Sequence, residues 1–253
     1  CDVEEPNAHL FLCPCIEESR PVELLVPEVD TALCTGCGAC SRACRFHAIV
    51  ALGTEPLVFP ELCHACGGCT LACPTGAIRD VPFRIGVVER GSAGSIAFAQ
   101  GRLDVGRALA VPVIRALRSS AGTAGFTVID APPGTSCPVI ASVRGADAVL
   151  LVTEPTPFGL NDLVLAVGMV RSLGIPFGVA INRCDIGDAA VREYCRDQGI
   201  PVLLELAEDR RIAEAYSRGV PAARAVPELA PLFRGLADRL AGLATGQRTA
   251  VPA

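Results

Sequence analysis

The stretch CTGCGACSRACRF, residues 34–46, places Cys34, Cys37, Cys40 and Cys44 within eleven positions. The spacing returns in CHACGGCTLACPT, residues 63–75, as Cys63, Cys66, Cys69 and Cys73, with Pro74 directly after the last. The segment is an internal duplication. In a C-x2-C-x2-C loop the backbone wraps a compact object so that three thiolates point inward from one turn. Gly36, Gly38, Gly67 and Gly68 permit the tight conformations and the close approach of N–H groups to sulfur that such a turn requires. A cubane needs a fourth thiolate, which two-cluster proteins with this spacing take from the other motif. The spacing thereby assigns Cys34, Cys37, Cys40 and Cys73 to one [4Fe-4S] cluster, and Cys63, Cys66, Cys69 and Cys44 to a second.

Zinc is the competing reading, but four-cysteine zinc sites pair two C-x2-C knuckles across a longer spacer, and two loops of three cysteines fit that poorly. Residues 30–80 resemble a bacterial two-cluster ferredoxin. One departure is Arg45, where the first motif of that pattern carries proline. With eight thiolates present, His47 and His64 are expected to face solvent or to support the ligands rather than to ligate.

Composition bounds the rest. A chain of 253 residues buries one large core, or one core and a small module. With 51% hydrophobic and 19% charged residues, a buried sheet is expected and disorder is not. No apolar run reaches the ~18 residues of a membrane span. A net charge of -5 with interspersed signs and eleven aromatic residues offers no basic stripe or stacking platform, so nucleic acid is not an expected partner. The fourteen cysteines fall mostly in metal-type motifs rather than in a disulfide framework, and no secretory signal opens the sequence. A reducing, cytoplasmic setting is expected.

The segments RIGVVE (84–89), FTVID (126–130), AVLLVT (148–153), FGVAI (177–181) and PVLLEL (201–206) are rich in Val, Ile and Leu without alternation. That pattern predicts parallel strands covered by helices, and a doubly wound α/β domain. Helical spacing recurs in Leu160, Leu163, Val164, Val167, Val170 and Leu173, and again in Leu229, Leu232, Phe233, Leu236, Leu240 and Leu243. Both stripes are expected to be core. Ligands of such folds bind beyond the carboxyl ends of the strands. Asp130 ends FTVID, where a carboxylate can hold magnesium, and Pro132, Pro133 and Gly134 form a constrained turn suited to sensing a terminal phosphate. Asn182 ends FGVAIN, where its amide can pair with a base edge.

Taken in order, CDVEEPNAHLFL, DAPPGTSCPVIASVRGAD, TEPTPFGLNDL, INRCDIGD and DRRIAEAYSRG resemble the MinD/Mrp-type P-loop ATPases, in particular those with an inserted two-cluster ferredoxin domain. The resemblance covers nearly the whole chain. It implies a mostly parallel, P-loop NTPase-like sheet, with residues 1–29 and 81–253 forming the ATPase domain and 30–80 the inserted ferredoxin domain. It further implies that Asp2 matches the second aspartate of a catalytic Asp-x-Asp pair, Asp130 the magnesium-associated aspartate, Gly134 part of the phosphate-sensing turn, and Asn182 the adenine contact. ATP, magnesium and homodimerisation are expected of the intact protein.

The phosphate cradle itself is missing: no G-K-[ST] triplet occurs, and the chain contains no lysine. The chain therefore reads as an N-terminally truncated fragment, expected to be inactive as an ATPase and prone to aggregate through unpaired strand edges. Cys137 is expected to be buried and unliganded, and Cys184 and Cys195 structural, while Cys13 and Cys15 form a C-P-C pair suited to transient metal binding. The leading expectation is an ATPase coupled to electron transfer or iron-sulfur assembly, with a redox partner or an apo iron-sulfur protein. The alternatives are a non-enzymatic ferredoxin-like carrier and a cluster scaffold on a degenerate NTPase fold.

Overall fold

The apolar runs on either side of the cysteine loops pair with each other. In the computed structural model, which describes residues 1–120, 122 and 125–246, a one-turn helix α1 (Ala8–Leu12) is followed by the long strand β1 (Cys15–Val29). The first cysteine loop leads into α2 (Ala39–Ala43), then a small ladder of β2 (Ile49–Val50) and β3 (Leu57–Val58). The second leads into α3 (Gly68–Ala72) and the strand β4 (Ile78–Ala93), which turns back as β5 (Ile96–Leu103) before α4 (Ala110–Ser120). The chain divides into two compact units, residues 1–6 with 14–130, and residues 7–13 with 131 onward.

In the first unit β1, β4 and β5 form an antiparallel sheet in that order. The RIGVVE segment is thus the centre of an antiparallel sheet, not a parallel strand. Its run Ile85–Val88 is buried without alternation because the strand is central and Val113 of α4 packs close against Gly86. A continuous apolar run reports burial on both faces and carries no information on the direction of the neighbouring strands. FTVID differs more: no strand is assigned along it, and Phe126 and Val128 are 61% and 80% exposed. A β-prone segment becomes a strand only where a neighbour completes its ladder.

The duplication is legible in the backbone. An offset of 29 residues carries each cysteine of the first loop onto its counterpart in the second. The same offset relates the ladder pair Ile49 and Val58 to the pair Val29 and Ile78. It relates the hydrogen bond from Phe59 N to Ala48 O, 2.8 Å, to that from Asp30 N to Ala77 O, 2.7 Å. One strand pair stops after two residues, and its twin continues as the β1–β4 ribbon.

The second unit is a parallel sheet of three strands, β6 (Val149–Thr153), β7 (Phe177–Asn182) and β8 (Val202–Leu206), in that order. Its helices are α5 (Cys137–Val143), α6 (Pro157–Leu173), α7 (Ala190–Asp197), α8 (Arg210–Tyr216), α9 (Ala222–Ala225) and α10 (Leu229–Ala244). The α6 crossover starts where Thr156 accepts a hydrogen bond from Gly159 N and ends at Gly174, whose left-handed φ of 67° closes the helix. Leu163 and Val167 of α6, Val179 and Ile181 of β7, and Val191 and Cys195 of α7 form one core cluster. The helical stripes are core only in part. Val164 is 42% and Leu232 46% exposed, because a helix lying on a three-stranded sheet turns only a narrow face to it.

Candidate metal centre

Each cysteine loop is shaped by left-handed residues. Gly36 (φ 70°) and Gly38 (φ 70°) in the first loop have as counterparts Ala65 (φ 51°) and Gly67 (φ 68°) in the second. Gly68 begins α3 instead of serving as a left-handed turn. A side chain at Gly36 would meet the Gly53 carbonyl carbon at 2.9 Å, so only glycine fits there.

The loops and short helices bring the eight cysteines of the two motifs to two hollows. One is lined by Cys34, Cys37, Cys40 and Cys73 together with Thr35, Ala51 and Thr75. The other is lined by Cys44, Cys63, Cys66 and Cys69 together with Phe46, His64 and Asp80. Among the described residues, no three His, Cys, Asp or Glu side chains converge closely enough for a single ion; the sulfurs line the hollows. Backbone N–H groups point at sulfur in both. Ala48 donates to Cys44 Sγ and Ala77 to Cys73 Sγ, each at 3.3 Å, and Ala65 donates to Cys63 Sγ at 3.4 Å. Burial pushes the thiols of Cys40, Cys63 and Cys69 up, whereas Cys73 is held below its ordinary value by the Thr75 hydroxyl.

The donor set suits an iron-sulfur cluster: sulfur alone, in fours, with amide hydrogens directed at it. His47 is exposed in a left-handed turn (φ 53°), and His64 stacks on Phe46 with ring centroids 3.6 Å apart. That aromatic pair had no signal in the sequence.

The nucleotide-type residues fall in both units. In the first, Asp2 N donates to Asp130 O at 3.1 Å, and the Asp2 carboxylate accepts from Glu5 N at 3.2 Å. In the second, Gly134 adopts a left-handed turn (φ 90°), and Asn182 ends β7 with its amide 3.5 Å from Glu154 Oε1. Glu154, Arg183 and Glu208 surround Asn182 as an ion-pair network. They went unnoticed because they come from three separate strand ends. Cys137 is exposed at the start of α5 and not buried as expected: it continues the exposed turn of Pro133 to Ser136, and burial begins only at Val139. Cys195 is buried in the α7 core and Cys184 packs against it.

Comparison with known proteins places this geometry in context. Residues 33–78 match the family described as the 4Fe-4S dicluster domain. The chain thus carries a segment of iron-sulfur type beside a parallel α/β unit. Over 225 residues it is 26% identical to an uncharacterized protein, MJ0579, of Methanocaldococcus jannaschii, covering 87% of this chain and 77% of the relative. It is 28% identical over 132 residues to an iron-sulfur cluster carrier protein of Pyrococcus horikoshii, covering 43% of this chain and 45% of the relative. It is 29% identical over 123 residues to an uncharacterized ATP-binding protein, MJ0169, of Methanocaldococcus jannaschii, covering 44% and 47%. The chain spans less than half the length of either of these last two relatives.

Proposed function

We propose that the chain holds two [4Fe-4S] clusters, one on Cys34, Cys37, Cys40 and Cys73 and one on Cys63, Cys66, Cys69 and Cys44, and carries electrons or clusters for a nucleotide-responsive protein. The observation that carries this reading is the pair of hollows, each lined by three sulfurs of one loop and a fourth from the other. Bound there, such clusters supply one-electron redox chemistry. The chain supplies thiolates, amide donors and a folded shell that limits solvent access. Anaerobic preparations are expected to contain about eight irons and eight sulfides per chain, the count for two cubanes. A colourless, iron-free chain that stays folded without oxygen, or one that takes up zinc instead, overturns the reading.

The nucleotide half of the proposal rests on the resemblance to MinD/Mrp-type ATPases. Asp130 would hold magnesium, Asp2 and Asp130 would serve catalysis, Gly134 would flank the phosphates and Asn182 would meet adenine. With no lysine and no phosphate cradle, the chain alone is expected to turn over no ATP. A homodimer is the proposed assembly, with a redox protein or an apo iron-sulfur protein as partner. The name of the Pyrococcus relative favours cluster carriage over electron transfer. Two acceptors separate the readings: iron and sulfide moving from the loaded chain to an apo-ferredoxin supports carriage, and electrons moving from the reduced chain to a cluster-loaded ferredoxin, with no iron exchanged, supports redox work.

A further inference from the structure

The internal duplication serves as its own control, because the two sites share ligand spacing and loop backbone and differ in the side chains around them. Several positions differ between the repeats, Thr35 against His64 and Arg45 against Pro74 among them, and three of the differences change a charge or a hydroxyl beside a hollow or within its loop. Ala51 lines the hollow of Cys34, Cys37, Cys40 and Cys73, whereas its counterpart 29 residues on, Asp80, lines the other. Arg42 donates to the Cys37 carbonyl at 3.0 Å, and its counterpart is the apolar Leu71. The Thr75 hydroxyl lies 3.7 Å from Cys73 Sγ, and its counterpart Phe46 has no hydroxyl to offer Cys44.

The three differences act in one direction. Adding an electron is favoured by a nearby cation and by hydrogen bonds to the ligand sulfurs, and opposed by a nearby carboxylate. Thr70 fixes the carboxylate by donating to Asp80 Oδ1 at 2.9 Å. Asp80 lines the second hollow together with Cys44, Cys63, Cys66 and Cys69.

We propose that Asp80, Arg42 and Thr75 set the two reduction potentials apart, so that the first electron delivered to the loaded chain resides at the site of Cys34, Cys37, Cys40 and Cys73, and the second at the site of Cys63, Cys66, Cys69 and Cys44. This rests on the two-cluster reading above. Each step is the transfer of one electron from a low-potential reductant such as dithionite to a [4Fe-4S]2+ site, giving [4Fe-4S]1+, with no bond made or broken.

The test is an anaerobic potentiometric titration of the loaded chain at pH 8, followed by electron paramagnetic resonance, with iron and sulfide counted in each variant. Two one-electron waves are expected. Asp80→Asn raises only the lower wave and Arg42→Gln lowers only the upper, each by ~3- to 10-fold in the reduction equilibrium, tenfold being ~59 mV for one electron. Ala51→Asp lowers the upper wave and closes the gap, and it carries the test if Asp80→Asn fails to load both sites. A single two-electron wave, variants that move the same wave, or variants that move neither overturn this proposal alone. A chain that binds no iron overturns the two-cluster reading and this proposal with it.

Discussion

Cys44 and Cys73 are the residues on which the crosswise arrangement turns, since each follows one loop in sequence but lines the hollow of the other. Cys73→Ser is therefore expected to empty the site of the first loop, leaving about four irons per chain, and Cys44→Ser the site of the second. Iron analysis with electron paramagnetic resonance of each variant checks which site survives. Ala65 makes a different prediction. It holds a left-handed φ of 51° where its counterpart is Gly36, and a non-glycine residue there costs ~1–2 kcal/mol. Ala65→Gly is expected to stabilise the chain by ~0.5–1 kcal/mol after the added chain entropy of glycine, whereas Gly36→Ala destabilises it, since its Cβ would meet Gly53 at 2.9 Å. Thermal unfolding of the two variants measures both signs. The ligand cysteines were legible in the sequence because metal spacing is a local property. The strained Ala65 was not, because φ follows from the closed loop and not from the residue type.

Elements were legible where a segment carries its own reason to form. The strands β6, β7 and β8 and the helix α6 follow their apolar patterns, but strand direction in β4 depends on which neighbours arrive. Helix α8 illustrates local control. Asp209 precedes it and accepts from Arg211 N at 2.8 Å, and the Arg211 side chain holds the Asp209 carboxyl below its ordinary value of 3.8. A carboxyl depressed on folding adds stability that is present above the unfolded value and lost as pH falls through the folded one. The contribution is therefore full well above 3.8 and is lost as pH falls below 3.8 through the lower folded value. Asp209→Asn keeps a good helix cap but loses the charge. Urea unfolding from pH 6 to pH 3 is expected to show the native chain ahead of this variant at the upper end, with the gap closing as pH falls. A gap constant with pH would contradict the assignment.

At the scale of the whole molecule, apolar side chains remain uncovered. In the second unit Phe158 is 85%, Val152 66% and Leu165 56% exposed, and β6 is an edge strand of the parallel sheet. Such an edge invites pairing with another chain. The protein is expected to associate as its concentration rises, and Val152→Lys to weaken that association by setting a charge on the edge. Sedimentation velocity across a concentration series checks both, and an unmodified chain that stays monomeric throughout contradicts the prediction. The sequence reveals the two units only piecewise: the cysteine-rich part announces itself, while the exposed FTVID segment looks like any buried strand until its surroundings are known. The β1–β4 ribbon has one more consequence. Because Val29 and Ile78 face each other across the ladder, the chain enters and leaves the duplicated module at one doorway. Two ends that already meet leave little loop closure for a receiving scaffold to supply, so grafting residues 29–78 onto another antiparallel strand pair is expected to preserve their loops.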